Sequence, residues 1–249
     1  MGSTILRLRL LKEIERFSFI STILGYYYLE LYNNLNSKFN ILNIASEYKK
    51  GKRTLLEVVT DIYNRTQEII NHSEFQKDVL KEFKDGYYKW AAIRYFLYEY
   101  EENLREKSKN RTRKIDWIEY INAKDDFVTV EHIYPKNSRK SCWQENFGRF
   151  STVQKNKLKN SLGNLLALSK PKNSSLQDNC FLYKRDRKDS YIGYRYGSYS
   201  EIEVSSKDEW TSTEILERGM KLLEFMEERW ALKTFSKEFK IKLLNLEFL

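Results

Sequence analysis

Val130-Glu131-His132-Ile133-Tyr134-Pro135 is the stretch on whose reading the fold turns. The residues leading into it, Phe127-Val128-Thr129-Val130, have the β-branched and aromatic composition of a strand. The chain has two histidines and two prolines in 249 residues, and one of each falls here. The other proline, Pro171, lies in a second unusual stretch, Ser161-Leu162-Gly163-Asn164-Leu165-Leu166-Ala167-Leu168-Ser169-Lys170-Pro171-Lys172-Asn173. Within it Leu165 to Leu168 reads as a second strand, flanked by Asn164 and Asn173. Asn173-Ser174-Ser175 then reads as a helix start, because Asn and Ser favour N-cap positions. The predicted order is strand, histidine at its end, long connection, strand, helix. A carboxylate can hold a hard cation through oxygen, and an imidazole can take a proton near neutral pH. Glu131-His132 at a strand end, ahead of a proline turn, presents both groups at one place.

This order resembles the ββα-metal core of the HNH (His-Me finger) endonucleases. In that family an acid-His-x-x-Pro stretch ends the first strand, an Asn opens the second, and a His or Asn near the start of the helix completes the metal site. Glu131, His132 and Pro135, then Asn164, then Asn173 match those positions. Tyr88-Lys89-Trp90-Ala91-Ala92-Ile93-Arg94-Tyr95, the Leu162-Gly163-Asn164-Leu165-Leu166 run, Lys172-Asn173-Ser174-Ser175-Leu176 and Glu217-Arg218-Gly219 extend the likeness. Together they resemble the C-terminal nuclease domain of GmrSD-type modification-dependent restriction enzymes and related anti-phage proteins, over roughly residues 80 to 235.

The resemblance implies a mainly α fold with a small β hairpin, in which a helical domain encloses the ββα-metal core. Residues 1–125 read as an N-terminal helical region, 126–190 as the core, and 191–249 as a C-terminal loop and helices packing on the body. The implied activity is metal-dependent hydrolysis of DNA phosphodiester bonds, as the nuclease part of a bacterial restriction or phage-defence system. His132 is then the general base and Asn164 the residue that orients it. Glu131 and Asn173 become ligands to one Mg²⁺ or Mn²⁺ ion. Where many relatives carry a histidine this chain has Asn173, whose amide oxygen suits Mg²⁺ or Mn²⁺ and argues against zinc or nickel. Lys170, Lys172, Lys184 and Arg185 are expected on DNA phosphates, and Asn179 in a supporting role. The resembled enzymes also carry an N-terminal nucleotide-hydrolysing domain, of which this chain holds no trace. Two other readings compete: a catalytically silent nucleic-acid-binding module, and a helical regulatory subunit.

Composition sets the bounds. Hydrophobic residues make up 41% and charged residues 32%, as in a soluble globular chain. No apolar run approaches the length of a membrane span. Arg7, Arg9, Lys12 and Glu13 break up any signal-peptide core. Met1-Gly2-Ser3 reads as a cloning remnant, so the chain is expected to be a piece of a larger protein. Cys142 and Cys180 are too few for a disulfide framework or a four-thiolate zinc site, and point to a reducing, cytoplasmic setting. Net charge is +9; residues 131–190 hold thirteen Lys/Arg against five Asp/Glu, so nearly the whole excess surrounds the candidate site. That is the electrostatic footprint of a polyanion partner.

Hydrophobic spacing predicts helices over Thr4 to about Leu35, 53–70, Phe75 to Phe83, Tyr87 to Glu106 and Asn179 to about Tyr191. Gly25 and Tyr26-Tyr27-Tyr28 are expected to bend the first of these. Residues 191–210 read as a loop or hairpin. Thr211-Ser212-Thr213-Glu214 reads as a capping box opening a long helix. The connection from His132 to Asn164 is long enough to carry elements of its own, with Trp143 and Phe147 pinning it.

Overall fold

Thr54 and Glu57 show how local chemistry places one of the predicted helices. The Thr54 side chain accepts from the Glu57 backbone N–H, while the Glu57 carboxylate takes the Thr54 N–H at 2.7 Å. Such a cap is worth ~1 kcal/mol. The computed structural model describes residues 3–25, 41–122 and 129–249. It divides into two compact units, Met1–Glu82 with Met226–Thr234, and Phe83–Phe225 with Phe235–Leu249.

In the first unit, α1 (Ser3–Ile23) lies against α3 (Leu55–Asn71), with α2 (Ile41–Lys49) and α4 (Phe75–Glu82) beside it. Phe17, Ile20, Ile23, Val59 and Ile62 form its buried stripe. The first helix stops short of Leu35. Gly25 follows it at φ 67°, the left-handed conformation that ends helices. The triple tyrosine and the rest of that predicted helix lie outside the described residues.

The second unit begins differently from its sequence pattern. The predicted helix from Tyr87 forms only from Ile93, as α5 (Ile93–Lys107). Tyr87 is instead captured by tertiary hydrogen bonds: its N–H donates to Asn160 O at 2.8 Å and its hydroxyl to Leu243 O at 3.2 Å. Chain direction there is set by those partners, and helix propensity is overridden. After α6 (Trp117–Asn122) comes β1 (Thr129–His132). Phe127 and Val128, expected in this strand, lie outside the described residues.

The connection from β1 to β2 carries two helices, α7 (Ser141–Phe147) and α8 (Thr152–Asn160). Trp143 and Phe147 are buried as expected, with Tyr134 stacked on Phe147 at 3.7 Å between ring centres. A 3₁₀ turn, Leu162–Asn164, then leads into β2 (Leu165–Leu168), so Asn164 precedes the strand. The strands pair antiparallel, Thr129 opposite Leu168 and His132 opposite Leu165. A two-stranded ribbon is marginal alone. This one is covered by α5, α9 (Lys170–Leu176) and α11 (Tyr199–Ser205), and every residue of β2 is buried.

Several expectations are corrected. Asn173 does not open its helix: Ser169 occupies the N-cap and Pro171 the first turn, where its fixed φ suits helix entry. Asn173 therefore sits mid-helix. The helix predicted from Asn179 to Tyr191 is α10 (Phe181–Asp186) only. Residues 191–210 are not a hairpin, because a Ser198–Glu201 capping box starts α11 within them. Thr211 and Glu214 do cap α12 (Ser212–Arg229), and α13 (Lys237–Leu243) follows with Leu243, Leu244 and Leu246 buried. Cys142 and Cys180 are joined in a disulfide, tying α7 to the start of α10 across 38 residues. The argument from cysteine count to a reducing compartment therefore falls. Among the described residues no helix is long and apolar enough to cross a membrane.

Candidate active site

Consecutive strand residues point to opposite sides, yet Glu131 and His132 both line one cleft. His132 lines an open cleft of about 460 Å³ together with Tyr88, Lys136, Asn137, Asn173 and Asp178. Its ring lies 4.3 Å from that of Tyr88, and only 6% of the residue is exposed. Nε2 has no hydrogen-bond partner among the described residues. Burial, followed by the charge of Lys136, lowers the His132 pKa from 6.5 to about 4, with a side-chain hydrogen bond to Asn160 acting the other way. At neutral pH the imidazole is uncharged and able to accept a proton.

The lowered pKa has a consequence for stability. The unfolded chain binds the His132 proton near 6.5, the folded chain only near 4. Stability from this group is therefore complete above pH 6.5 and is lost as pH falls toward 4. Between pH 7 and pH 5 the loss should be about 2 kcal/mol. Urea unfolding of the wild type and of His132→Gln at both pH values checks this. The variant should lose about 2 kcal/mol less over that interval; an identical pH dependence would refute it.

Glu131 also lines this cleft, but its carboxylate is held by a buried partner, and its expected role changes. Its Oε1 accepts from Lys184 Nζ at 2.5 Å and from the Tyr194 hydroxyl at 3.5 Å. The carboxylate is 5% exposed and the lysine is fully buried. Burial pushes the Glu131 carboxyl up and the Lys184 amine down, each opposed by the other's charge. Lys184 Nζ also approaches His132 O at 3.4 Å and Ile133 O at 3.3 Å. Lys184 is thus no exposed phosphate contact. It tethers the end of β1 to α10.

Asn164 is fully buried and holds the turn after His132. Its Oδ1 accepts from the Tyr134 N–H at 2.8 Å and from Trp210 Nε1 at 3.1 Å. Its Nδ2 donates to Tyr134 O and Lys159 O, both at 3.0 Å. Its own carbonyl takes the Ile133 N–H at 3.0 Å. Asn164 therefore acts on His132 through the backbone that follows it, with no bond to the imidazole. Gly163 is required beside it: an added Cβ would lie 1.9 Å from Ile215 O of α12.

The other expected residues divide. Asn173 lines the cleft, and its Nδ2 donates to Thr129 Oγ1 at 3.1 Å. Lys170 is exposed one turn before Asn173 on the same helix. Lys172 is withdrawn from solvent into an ion pair with buried Glu201. Arg185 is spent internally on Asp186, Asp208 and Lys207 O. Asn179 bridges Lys140, at 2.5 Å, to Leu176 O, at 3.0 Å. Sequence reading missed Tyr88, Lys136 and Asp178. Lys136 adjoins the proline of the motif and sits 3.8 Å over the Tyr88 ring. Tyr88 carries no local signal, since it reaches the cleft only through the fold.

As for a metal ion, Glu131 does not fit as a ligand while Lys184 holds it. Asn173 and Asp178 are among the oxygen-bearing residues that line the cleft, with Thr129, Glu131, Asn137 and Gln177, although Asp178 also lies 3.3 Å from Lys140 Nζ. Among the described residues no three His, Cys, Asp or Glu side chains are grouped to hold a metal. Oxygen donors with water and substrate completing the shell suit Mg²⁺ or Mn²⁺ rather than a closed zinc site.

Compared with known proteins, one family model matches: GmrSD restriction endonucleases, C-terminal domain, over residues 71–225. No curated protein and no solved structure matches the chain.

Proposed function

We propose that this chain, which belongs to the family of GmrSD restriction endonuclease C-terminal domains, is an HNH-type endonuclease that hydrolyses DNA phosphodiester bonds in the His132 cleft. Its biological setting would be bacterial restriction or phage defence, beside a nucleotide-hydrolysing domain of the kind the resemblance implies. One observation carries the reading. An uncharged imidazole, its Nε2 buried and without a partner among the described residues, belongs to a lysine-bordered cleft, on a turn locked by Asn164.

In this mechanism His132 Nε2 takes a proton from the attacking water. Lys136 and Lys159 both lower the His132 pKa in the free protein. A bound phosphate offsets their charge, so the base strengthens when substrate arrives. Asn164, Tyr88 and Lys184 keep the imidazole in place, and Lys136 and Lys170 hold backbone phosphates. Asn173 and Asp178 would hold a Mg²⁺ or Mn²⁺ ion, which when bound supplies charge neutralisation at the phosphate. Incubating plasmid DNA with the protein and Mg²⁺ or Mn²⁺ tests the reading. Nicked or linear product is expected; DNA left intact with either metal would leave the silent binding module as the better account.

Binding should be governed by backbone charge, with affinity falling steeply as salt rises. Removing one phosphate contact flattens the slope of log affinity against log salt by about 1. Lys136→Ala and Lys170→Ala should each do so. Lys172→Ala should leave the slope unchanged, because that lysine is paired with Glu201. Fluorescence anisotropy on a short duplex at several salt concentrations separates these outcomes.

A further inference from the structure

Lys172, Lys184 and Arg185, all expected on DNA, are neutralised by carboxylates within the protein. The segment that follows the cleft motif differs. Residues 136–160 hold seven Lys/Arg against one acid, Glu145. Among the described residues only Lys140 of the seven forms an ion pair, with Asp178. Crowded like charges repel one another and weaken a fold, and no described carboxylate relieves the other six.

α8 gives part of this charge a direction. It starts at a Ser151–Gln154 capping box and ends at the cleft, where Asn160 hydrogen-bonds the His132 side chain. Lys159 Nζ donates to Lys136 O at 2.8 Å, so the last turn of α8 adjoins a residue that lines the cleft. An ammonium carries three donors, and two of these remain. Lys155 lies one turn earlier on the same face as Lys159, an i,i+4 pair about 6 Å apart along the axis. Burial and then the charge of Lys155 lower the Lys159 pKa, as expected of two cations side by side. Lys157 sits two residues from each and faces elsewhere, with Leu158 the buried position between the faces. Lys136, Lys159 and Lys155 thus form a row that leaves the cleft along one side of α8.

We propose that this row is a binding surface for the phosphate backbone of duplex DNA beside the cleaved bond. It rests on the nuclease reading for its substrate and adds a contact outside the cleft. The nine residues of α8 span about 13 Å, the rise of about four base pairs. The surface therefore meets phosphates within a few base pairs of the scissile one. Such contacts fix register and affinity and carry no sequence information.

The test is fluorescence anisotropy on a duplex longer than one helical turn, with EDTA present so that binding is read without cleavage. Lys155→Ala should flatten the slope of log affinity against log salt by about 1, and Lys155→Ala with Lys159→Ala by about 2. Lys155→Arg should keep the wild-type slope, and Lys157→Ala should leave it unaltered. Lys155 has no side-chain partner among the described residues, so Lys155→Ala should melt with the wild type. Should the double variant fail to fold, Lys155→Ala decides alone. A Lys155→Ala slope equal to the wild-type slope, or an equal change on Lys157→Ala, would overturn the surface. Wild-type binding that does not weaken with salt would overturn it too. Plasmid cleavage by the same proteins separates the two readings. Cleavage by the wild type, with a slope that Lys155→Ala does not move, removes the surface and leaves the nuclease. A slope that moves without any cleavage keeps the surface on a silent binding module.

Discussion

DNA cleavage by the His132→Ala variant should be lower by ~10²–10⁴, the usual cost of removing a general base. Folding and DNA affinity should barely change. The imidazole is buried, yet it lines an open cleft. Truncation therefore enlarges that cleft and leaves no sealed void of the kind that destabilises cores. The variant also discards a buried Nε2 that has no partner, which offsets part of the lost contact with Tyr88. Affinity is expected from Lys136 and Lys170, which remain. A metal titration separates base from ligand. If excess Mn²⁺ restored cleavage to His132→Ala, His132 would be a ligand, and the assignment of the base would be wrong.

Lys184→Ala should unfold the protein readily, at a cost of ~3–5 kcal/mol, because it strands the Glu131 carboxylate in the interior. It also removes the donor near His132 O and Ile133 O, so the end of β1 loses its tether. Replacing both partners, as Glu131→Gln with Lys184→Met, should recover much of the loss, since no buried charge is then unpaired. Urea unfolding of the wild type and the two variants measures this. A Lys184→Ala protein within about 0.5 kcal/mol of wild type would contradict the pair. For the same reason Glu131→Ala should lose activity in step with stability, and added Mn²⁺ should not rescue it. A ligand role for Glu131 predicts the reverse.

Much of the site was legible before any coordinates. The rarity of histidine and proline drew attention to Glu131-His132-x-x-Pro135. The Leu-Gly-Asn run supplied the second strand, and the order strand, loop, strand, helix followed from local pattern. Failures came where a side chain's partner is remote. Lys184 and Arg185 look like exposed helix cations, since nothing nearby in sequence announces Glu131 or Asp208. Lys172 is drawn inward by Glu201, twenty-nine positions away. The start of α5 was misjudged because Tyr87 is captured by Asn160 and Leu243.

By itself the sequence determined the family, the two strands, the cap that opens α12, the basic character of the region, and His132 as the residue of interest. These are matters of composition, short-range periodicity and local hydrogen bonding, all written into neighbouring residues. Only the tertiary structure decided which charges face water. It paired Glu131 with Lys184 and set His132 at the cleft. It brought Tyr88 and Asp178 to that cleft and paired Cys142 with Cys180. The physical reason is that the cost of a buried charge depends on distance to its partner in space, and distance along the chain does not report it.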